Sequence, residues 1–297
     1  MKIAVLKGGI SKEREISLRS GGAVALALKR KGHDVGEFDP QSPHFVKDLL
    51  AFNPQKVFLA LHGKGGEDGT MQGFLQTVGL PYAGCGVLTS AICFDKVATK
   101  EFLGSHQIPM PKQAVFSRGQ DVAWFVQTFP LPFPVIVKPN TEGSTIGVSR
   151  VFKKEELAGA LEVALAFDSI ILVEEYIQGR EVTVGVVNGQ ALPVVEVVPK
   201  SGFYDFTSKY TKGQTEYKVP APIDEVLTKE LHVLSEKINR VLGCSGGVRI
   251  DFMLQNGNPL FLEVNTIPGM TETSLLPKAA ACVGVSFEDL CEKILEG

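Results

Sequence analysis

The chain has 297 residues, 44% of them hydrophobic, and its 30 Lys and Arg against 33 Asp and Glu leave a formal net charge of -3. That balance leaves no basic footprint for nucleic acid, and no apolar run reaches the ~20 residues needed to cross a bilayer. Five scattered cysteines, Cys85, Cys93, Cys244, Cys282 and Cys291, form no CxxC pair, which points to reduced thiols in a cytoplasm.

The first segment alternates elements. An apolar run over residues 2–6 predicts a strand entering the turn Gly8-Gly9, too short to be a signal peptide. A helix is expected over 17–31, a strand over 35–38, a helix over 45–52 and a strand over 57–61. This order implies a parallel sheet. The loops after its first and third strands carry Glu13, Arg14 and Glu15, then His62-Gly63-Lys64-Gly65-Gly66-Glu67-Asp68-Gly69, at the edge where open α/β sheets bind ligands. Glu15 suits a cationic substrate group, although an acid in the first turn of a helix is also ordinary.

Helical stretches follow near 90–94 and 97–106, then Pro109, Pro111 and a strand over 113–116. A helix over 122–129, strands at 135–138 and 148–151, a helix over 154–166 and a strand over 170–174 make a small α+β unit. Between its two middle strands lies Lys138-Pro139-Asn140-Thr141-Glu142-Gly143-Ser144-Thr145-Ile146-Gly147, small residues whose backbone N–H groups can approach phosphate oxygens. An ordinary hairpin fits the same residues, and the Walker pattern G-x-x-x-x-G-K-[ST] is absent. Lys138, closing an apolar strand, would set a cation beside such phosphates, and Lys96 is a second candidate. The strand ending at Glu174 and Glu175 could meet an adenine amino group, with Glu181 at a ribose, or could simply end in solvent.

From Glu181 to Val198 the chain is strand-rich. Residues 200–218 then form a long polar loop with the aromatics Phe203, Tyr204, Phe206, Tyr210 and Tyr217, a length typical of a lid. A helix over 225–242 precedes two short apolar runs holding Arg249-Ile-Asp251 and Glu263-Val-Asn265, which read as a β-hairpin. Strand alternation groups Arg249, Asp251 and Met253 on one face, and Phe261, Glu263 and Asn265 on one face of the returning strand. Setting Asp251 opposite Glu263 requires an odd loop or a bulge, so a three-residue loop Asn256-Gly257-Asn258 is expected. Two carboxylates and an amide are hard donors suited to Mg²⁺, although an amphipathic hairpin with a solvated charged face fits as well. Ser274, after the loop 266–273, is a candidate helix N-cap that leaves N–H groups for an anion. Two helices follow. The expected units are an N-terminal α/β substrate domain over 1–88, a central domain over 89–178 and a C-terminal domain over 179–297.

Taken together these segments resemble the ATP-grasp ligases, and within them the D-alanine–D-alanine ligases. Gly8-Gly9 with Glu13-Arg14-Glu15-Ile16-Ser17 and the run from His62 to Thr70 carry the narrower likeness. It continues through Lys138 to Gly147, Glu174 to Glu181, Lys209-Tyr210, Arg249 to Asp251 and Glu263 to Gly269, in order over nearly the whole chain. The resemblance implies a three-domain ATP-grasp fold with ATP held by Lys96, Lys138, Glu174, Glu175, Ile177, Glu181 and Phe203. It implies two Mg²⁺ ions, with Mn²⁺ as a substitute, on Asp251, Glu263 and Asn265. Glu15 would hold the first D-alanine, with His62 nearby and Lys209 also binding substrate, and would be linked through Ser144 and Tyr210 to the phosphate loop and the lid. Arg249 and the Gly269 N–H would form an oxyanion hole, and Ser274 would bind the second D-alanine. A homodimer is implied as well. Lys7 stands where many relatives carry an apolar or aromatic residue, and it touches no expected role. The competing readings are another ATP-grasp ligase with a different acid or amine, and a nucleotide sensor without catalysis. Glu15, Tyr210 and Ser274 speak against the first. The intact set Arg249, Asp251, Glu263 and Asn265 speaks against the second.

Overall fold

The computed structural model describes residues 1–200, 213–271 and 273–297. Phe203, Lys209 and Tyr210 therefore lie outside the described residues. The alternating first segment forms the expected parallel sheet: β1 (Lys2–Leu6), β2 (Asp34–Phe38) and β3 (Lys56–Leu59) in the order β2-β1-β3. Helix α1 (Arg14–Arg30) begins three residues before its apolar period registers, because its polar first turn carries Arg14, which clamps Asp39 at 2.6 Å. Helix α2 (Phe45–Phe52) follows the apolar spacing, whereas α3 (Thr70–Thr77) was not expected. It is eight residues long, with only Met71, Gln72 and Leu75 buried, too few turns to show a period.

The central segment builds an antiparallel sheet from β4 (Gln113–Ser117), β5 (Val135–Pro139), β6 (Ser149–Val151) and β7 (Ile170–Glu175), ordered β4-β7-β5-β6. Helices α6 (Val122–Thr128) and α7 (Leu157–Leu165) cover it through Phe125, Leu157 and Leu161 packed on Phe116, Val135 and Val137.

The third sheet contains β8 (Arg180–Val187), β9 (Gln190–Ala191), β10 (Val195–Pro199), β11 (Thr215–Lys218), β12 (Gly247–Gln255) and β13 (Asn258–Asn265). The end of the expected loop over 200–218 is thus a strand, β11, paired with β10 from Thr215 to Lys218. Helix α8 (Glu225–Leu242) starts at Asp224, whose carboxylate accepts from the Leu227 N–H, and stops at Gly243 with φ 67°. Helices α4 (Val87–Phe94) and α5 (Lys96–Ser105) add Cys93 and Leu103 to the same core, beside Phe252 and Phe261. Helices α9 (Leu275–Cys282) and α10 (Phe287–Glu296) return to the N-terminal sheet, where Leu276, Leu290 and Ile294 join Val24 and Leu28 of α1.

The hairpin corrects one expectation. Its loop is the two-residue turn Asn256-Gly257, with φ of 51° and 83°, and Gln255 pairs with Asn258. Asp251 still faces Glu263 because the register shifts between Asp251 and Phe252, where Phe252 pairs with Phe261 and Leu262 becomes the extra residue. The bulge also moves Phe261 off the face expected to hold Glu263 and into the core, fully buried against Phe252 with ring centroids 6.4 Å apart. Phe252→Ala should lower the unfolding free energy by about 3 kcal/mol or more in urea titration, because a ring is lost from a closed core. A loss below about 1 kcal/mol would show that the hairpin core is loose.

Candidate active site

A cleft of about 580 Å³ opens where the three sheets meet, and it is lined by Glu13, His62, Glu67, Lys96, Ser144, Arg249, Glu263, Asn265, Gly269 and Ser274 among others. Its floor is the bulged hairpin. Arg249 donates to both oxygens of Asp251 at 2.9 Å, Thr183 on β8 donates to the same carboxylate at 2.5 Å, and the Asn265 amide donates to it at 3.1 Å. Asp251 is buried beneath this set, while Glu263 stands half-buried at the cleft, 3.9 Å from Lys96. Two cross-strand carboxylates and an amide are hard oxygen donors, and their chemistry fits Mg²⁺. Among the described residues no group of three or more His, Cys, Asp and Glu side chains could hold a metal unaided. Asn265 and ligand oxygens would have to complete the shell.

The wall from the N-terminal sheet corrects a second expectation. Ser144 donates to Glu13 at 2.5 Å, not to Glu15. Glu13 lies in the loop before α1 and lines the cleft, whereas Glu15 is exposed in the first turn of α1. A Cβ on Gly63 or on Gly143 would stand 3.1 Å from the Glu13 carboxylate, so both loops approach it through glycine. Ser144 and Thr145 take φ of 52° and 61°, a left-handed pair that bends the glycine loop toward Glu13. His62 donates from Nδ1 to the Ile267 carbonyl at 3.0 Å, and its Nε2 lies 3.1 Å from the Ser20 hydroxyl, which accepts from the Met270 N–H at 3.2 Å. Burial pushes His62 below the ordinary imidazole range, so the neutral ring ties α1 to the loop after the hairpin. Burial and the charge of Glu13 raise Glu67 to about 8, although it accepts the Gly63 N–H at 2.6 Å.

The third wall is cationic at Lys96, while Lys138 and Lys100 lie beyond the residues that line the cleft. Lys96 donates to the Glu142 carbonyl at 2.8 Å and so spans the glycine loop and the hairpin. Lys138 and Lys100 both form ion pairs with Glu174, which is almost fully buried. Burial alone would raise Glu174, but the two ammonium charges hold it down to about 2. Ile177 is buried, and Glu175 is half-buried at the end of β7 with its N–H bonded to the Lys112 carbonyl. Glu181 lies near the start of β8, paired with Met253. Ser274 is the N-cap residue of α9, yet its hydroxyl turns back to accept from the Thr271 N–H at 3.0 Å instead of capping.

The family profile described as D-ala D-ala ligase C-terminus matches residues 105–296, and the one described as D-ala D-ala ligase N-terminus matches residues 38–85. The chain belongs to the D-alanine–D-alanine ligase family. A D-alanine–D-alanine ligase of Syntrophotalea carbinolica is 51% identical over all of this chain and 95% of that protein. The Bacillus anthracis D-alanine–D-alanine ligase complexed with ATP superposes with a TM-score of 0.86 at 32% identity, covering 100% of this chain and 96% of that one. The VanG D-Ala:D-Ser ligase of Enterococcus faecalis gives 0.84 at 31%, covering 100% and 98%.

In this ligase-family chain, sequence reasoning missed four side chains of the site. Glu13 and Glu67 sit in polar loops whose sequence distinguishes neither from its neighbours. Thr183 reads as one β-branched residue in an apolar strand, and Lys100 as a solvated lysine on a polar helix. A buried partner is the only signal for either, and it exists only in three dimensions. Glu67 gives a test with a definite sign. Its folded pKa of about 8 lies above the usual 4.5, so its contribution to stability is complete below about pH 4.5 and is lost as pH rises through 8. Glu67→Gln cannot ionise, so between pH 5 and 9 its stability relative to the parent should improve by more than about 1 kcal/mol in urea titrations. A pH-independent difference would show that Glu67 is already ionised in the fold.

Proposed function

We infer that this chain joins two D-alanine molecules into D-alanyl-D-alanine with ATP, through a D-alanyl phosphate, releasing ADP and phosphate for peptidoglycan precursor synthesis. The observation that carries the reading is the Glu13–Ser144 bond. It ties the N-terminal rim of the cleft, in a chain of the ligase family, to the glycine loop beside Lys96.

A carboxylate is a poor acyl donor because oxide would have to leave. Phosphorylation of the first D-alanine by the γ-phosphate of ATP, with ADP departing, makes phosphate the leaving group. The amine of the second D-alanine then attacks the carbonyl carbon, and phosphate departs. In our proposal Glu13, in place of the expected Glu15, holds the ammonium of the first D-alanine. Arg249 and the Gly269 N–H face the oxyanion, and Ser274 receives the carboxylate of the second D-alanine. His62 keeps the loop carrying Gly269 against α1. Lys96 and Lys138 face the phosphates, with Glu174, Glu175, Ile177 and Glu181 around the nucleoside. Mg²⁺, two ions in our reading and replaceable by Mn²⁺, would be held by Asp251, Glu263 and Asn265 and would offset negative charge on the phosphates. The lid expected at Phe203, Lys209 and Tyr210, which would keep water from the acyl phosphate, lies outside the described residues.

The domain division at 1–88, 89–178 and 179–297 belongs to the same proposal, as do a cytoplasmic location, argued from reduced cysteines and dependence on ATP, and a homodimer. Among the described residues no helix is long and apolar enough to cross a membrane.

Two measurements test the reading. D-alanine should stimulate phosphate release from ATP, and Glu263→Ala should cut that release at least about 100-fold while circular dichroism stays unchanged. Failure of D-alanine to stimulate release sinks the reading, and near-normal turnover removes Glu263 from the metal. Glu13→Gln should reduce kcat/KM for D-alanine at least about 100-fold, with Glu15→Gln within about threefold of the parent. The reverse order would restore Glu15.

A further inference from the structure

Behind the cationic wall lies one charge that the reaction does not use. Lys100 lies on α5 with a side chain 0% exposed, paired with one oxygen of Glu174, while Lys138 is paired with the other oxygen and is 12% exposed. The Lys100 ammonium also lies 3.5 Å from the Phe261 carbonyl and 5.7 Å from the Phe261 ring centroid. It is wedged between α5, β7 and β13, behind Glu174, and cannot reach a ligand in the cleft. Lys138, at the end of β5 where the glycine loop begins, is the more exposed of the two, at 12% against 0%.

We propose that Lys100 is a positioning residue for ATP: as the resident counter-ion of Glu174, it frees Lys138 to leave that carboxylate for the polyphosphate. The inference rests on the nucleotide reading of the site. Two ammonium groups around one buried carboxylate leave a surplus positive charge, which a polyphosphate neutralises. Were Lys138 the only partner of Glu174, each nucleotide that drew it away would leave a buried carboxylate without a counter-charge, and binding would carry that penalty. With Lys100 fixed behind it, Glu174 stays ionised and in place whether Lys138 faces inward or outward. A lysine as deeply buried as Lys100 is itself costly, and burial pulls it below the ordinary ammonium range. Packing alone would be served by an apolar side chain of the same length.

The test is calorimetric titration of ADP with Mg²⁺ into the full chain and three variants. Lys100→Met should weaken ADP binding about 10- to 100-fold, because Glu174 then retains Lys138. In the Glu174→Gln background nothing holds Lys138, so adding Lys100→Met should change ADP affinity by no more than about threefold. That double variant removes both Lys100 and the buried carboxylate it faces and leaves only the partly exposed Lys138, so its comparison with Glu174→Gln stands even where Lys100→Met alone does not fold. A merely structural Lys100 would instead produce the same loss in both backgrounds. Equal losses, or unchanged binding in Lys100→Met, overturn the inference while the nucleotide reading stands. A parent chain that does not bind ADP overturns both.

Discussion

The bulge in β13 is the constraint on which the rest of this molecule depends. A two-residue Asn-Gly turn, continued without interruption, would bring Asp251 opposite Leu262 and divide the carboxylates between faces. By inserting Leu262, the strand changes face once. Toward the turn, Phe261 enters the core against Phe252; toward the cleft, Glu263 faces Asp251 at the site. One local irregularity therefore supplies both the apolar contact that fixes the sheet and the acidic pair at its surface. Lys100 reads the same irregularity from below, since the carbonyl near it belongs to Phe261.

Around that floor, three buried or half-buried carboxylates are set differently by their neighbours. Glu174 is kept anionic by two lysines, whereas Glu67 is kept protonated near neutrality by burial and by the charge of Glu13. Glu13 itself accepts from Ser144 and has glycines where bulkier residues would crowd it. The cleft thus concentrates acidic groups without concentrating an equal negative charge. Room remains for phosphates, which a fully ionised cluster would repel.

Much of this was legible in the chain. The bounds of β1, α2 and α8 follow directly from apolar spacing and from the caps Asp224 and Gly243. The pairing of Asp251 with Glu263 followed from requiring both carboxylates on one face. How the chain achieves it did not, because Leu260, Phe261 and Leu262 are all apolar and a slip of one residue leaves no mark on the pattern. Glu13 and Glu15 were inseparable for a related reason. They stand two apart where a loop becomes a helix, and which of them faces the glycine loop depends on where α1 begins. Lys100 was hidden by its type: a lysine one turn after Lys96 reads as solvated until the strand behind it is known.

The return of α9 and α10 to the N-terminal sheet has a temporal side. Val24 and Leu28 share a core with Leu290 and Ile294, and Arg30 meets Glu288 across 258 residues of chain. During synthesis the outer face of α1 emerges early, yet the side chains that cover it are made only after both other sheets. The segment that presents Glu13 therefore waits, with apolar surface uncovered, until nearly the whole chain has left the ribosome.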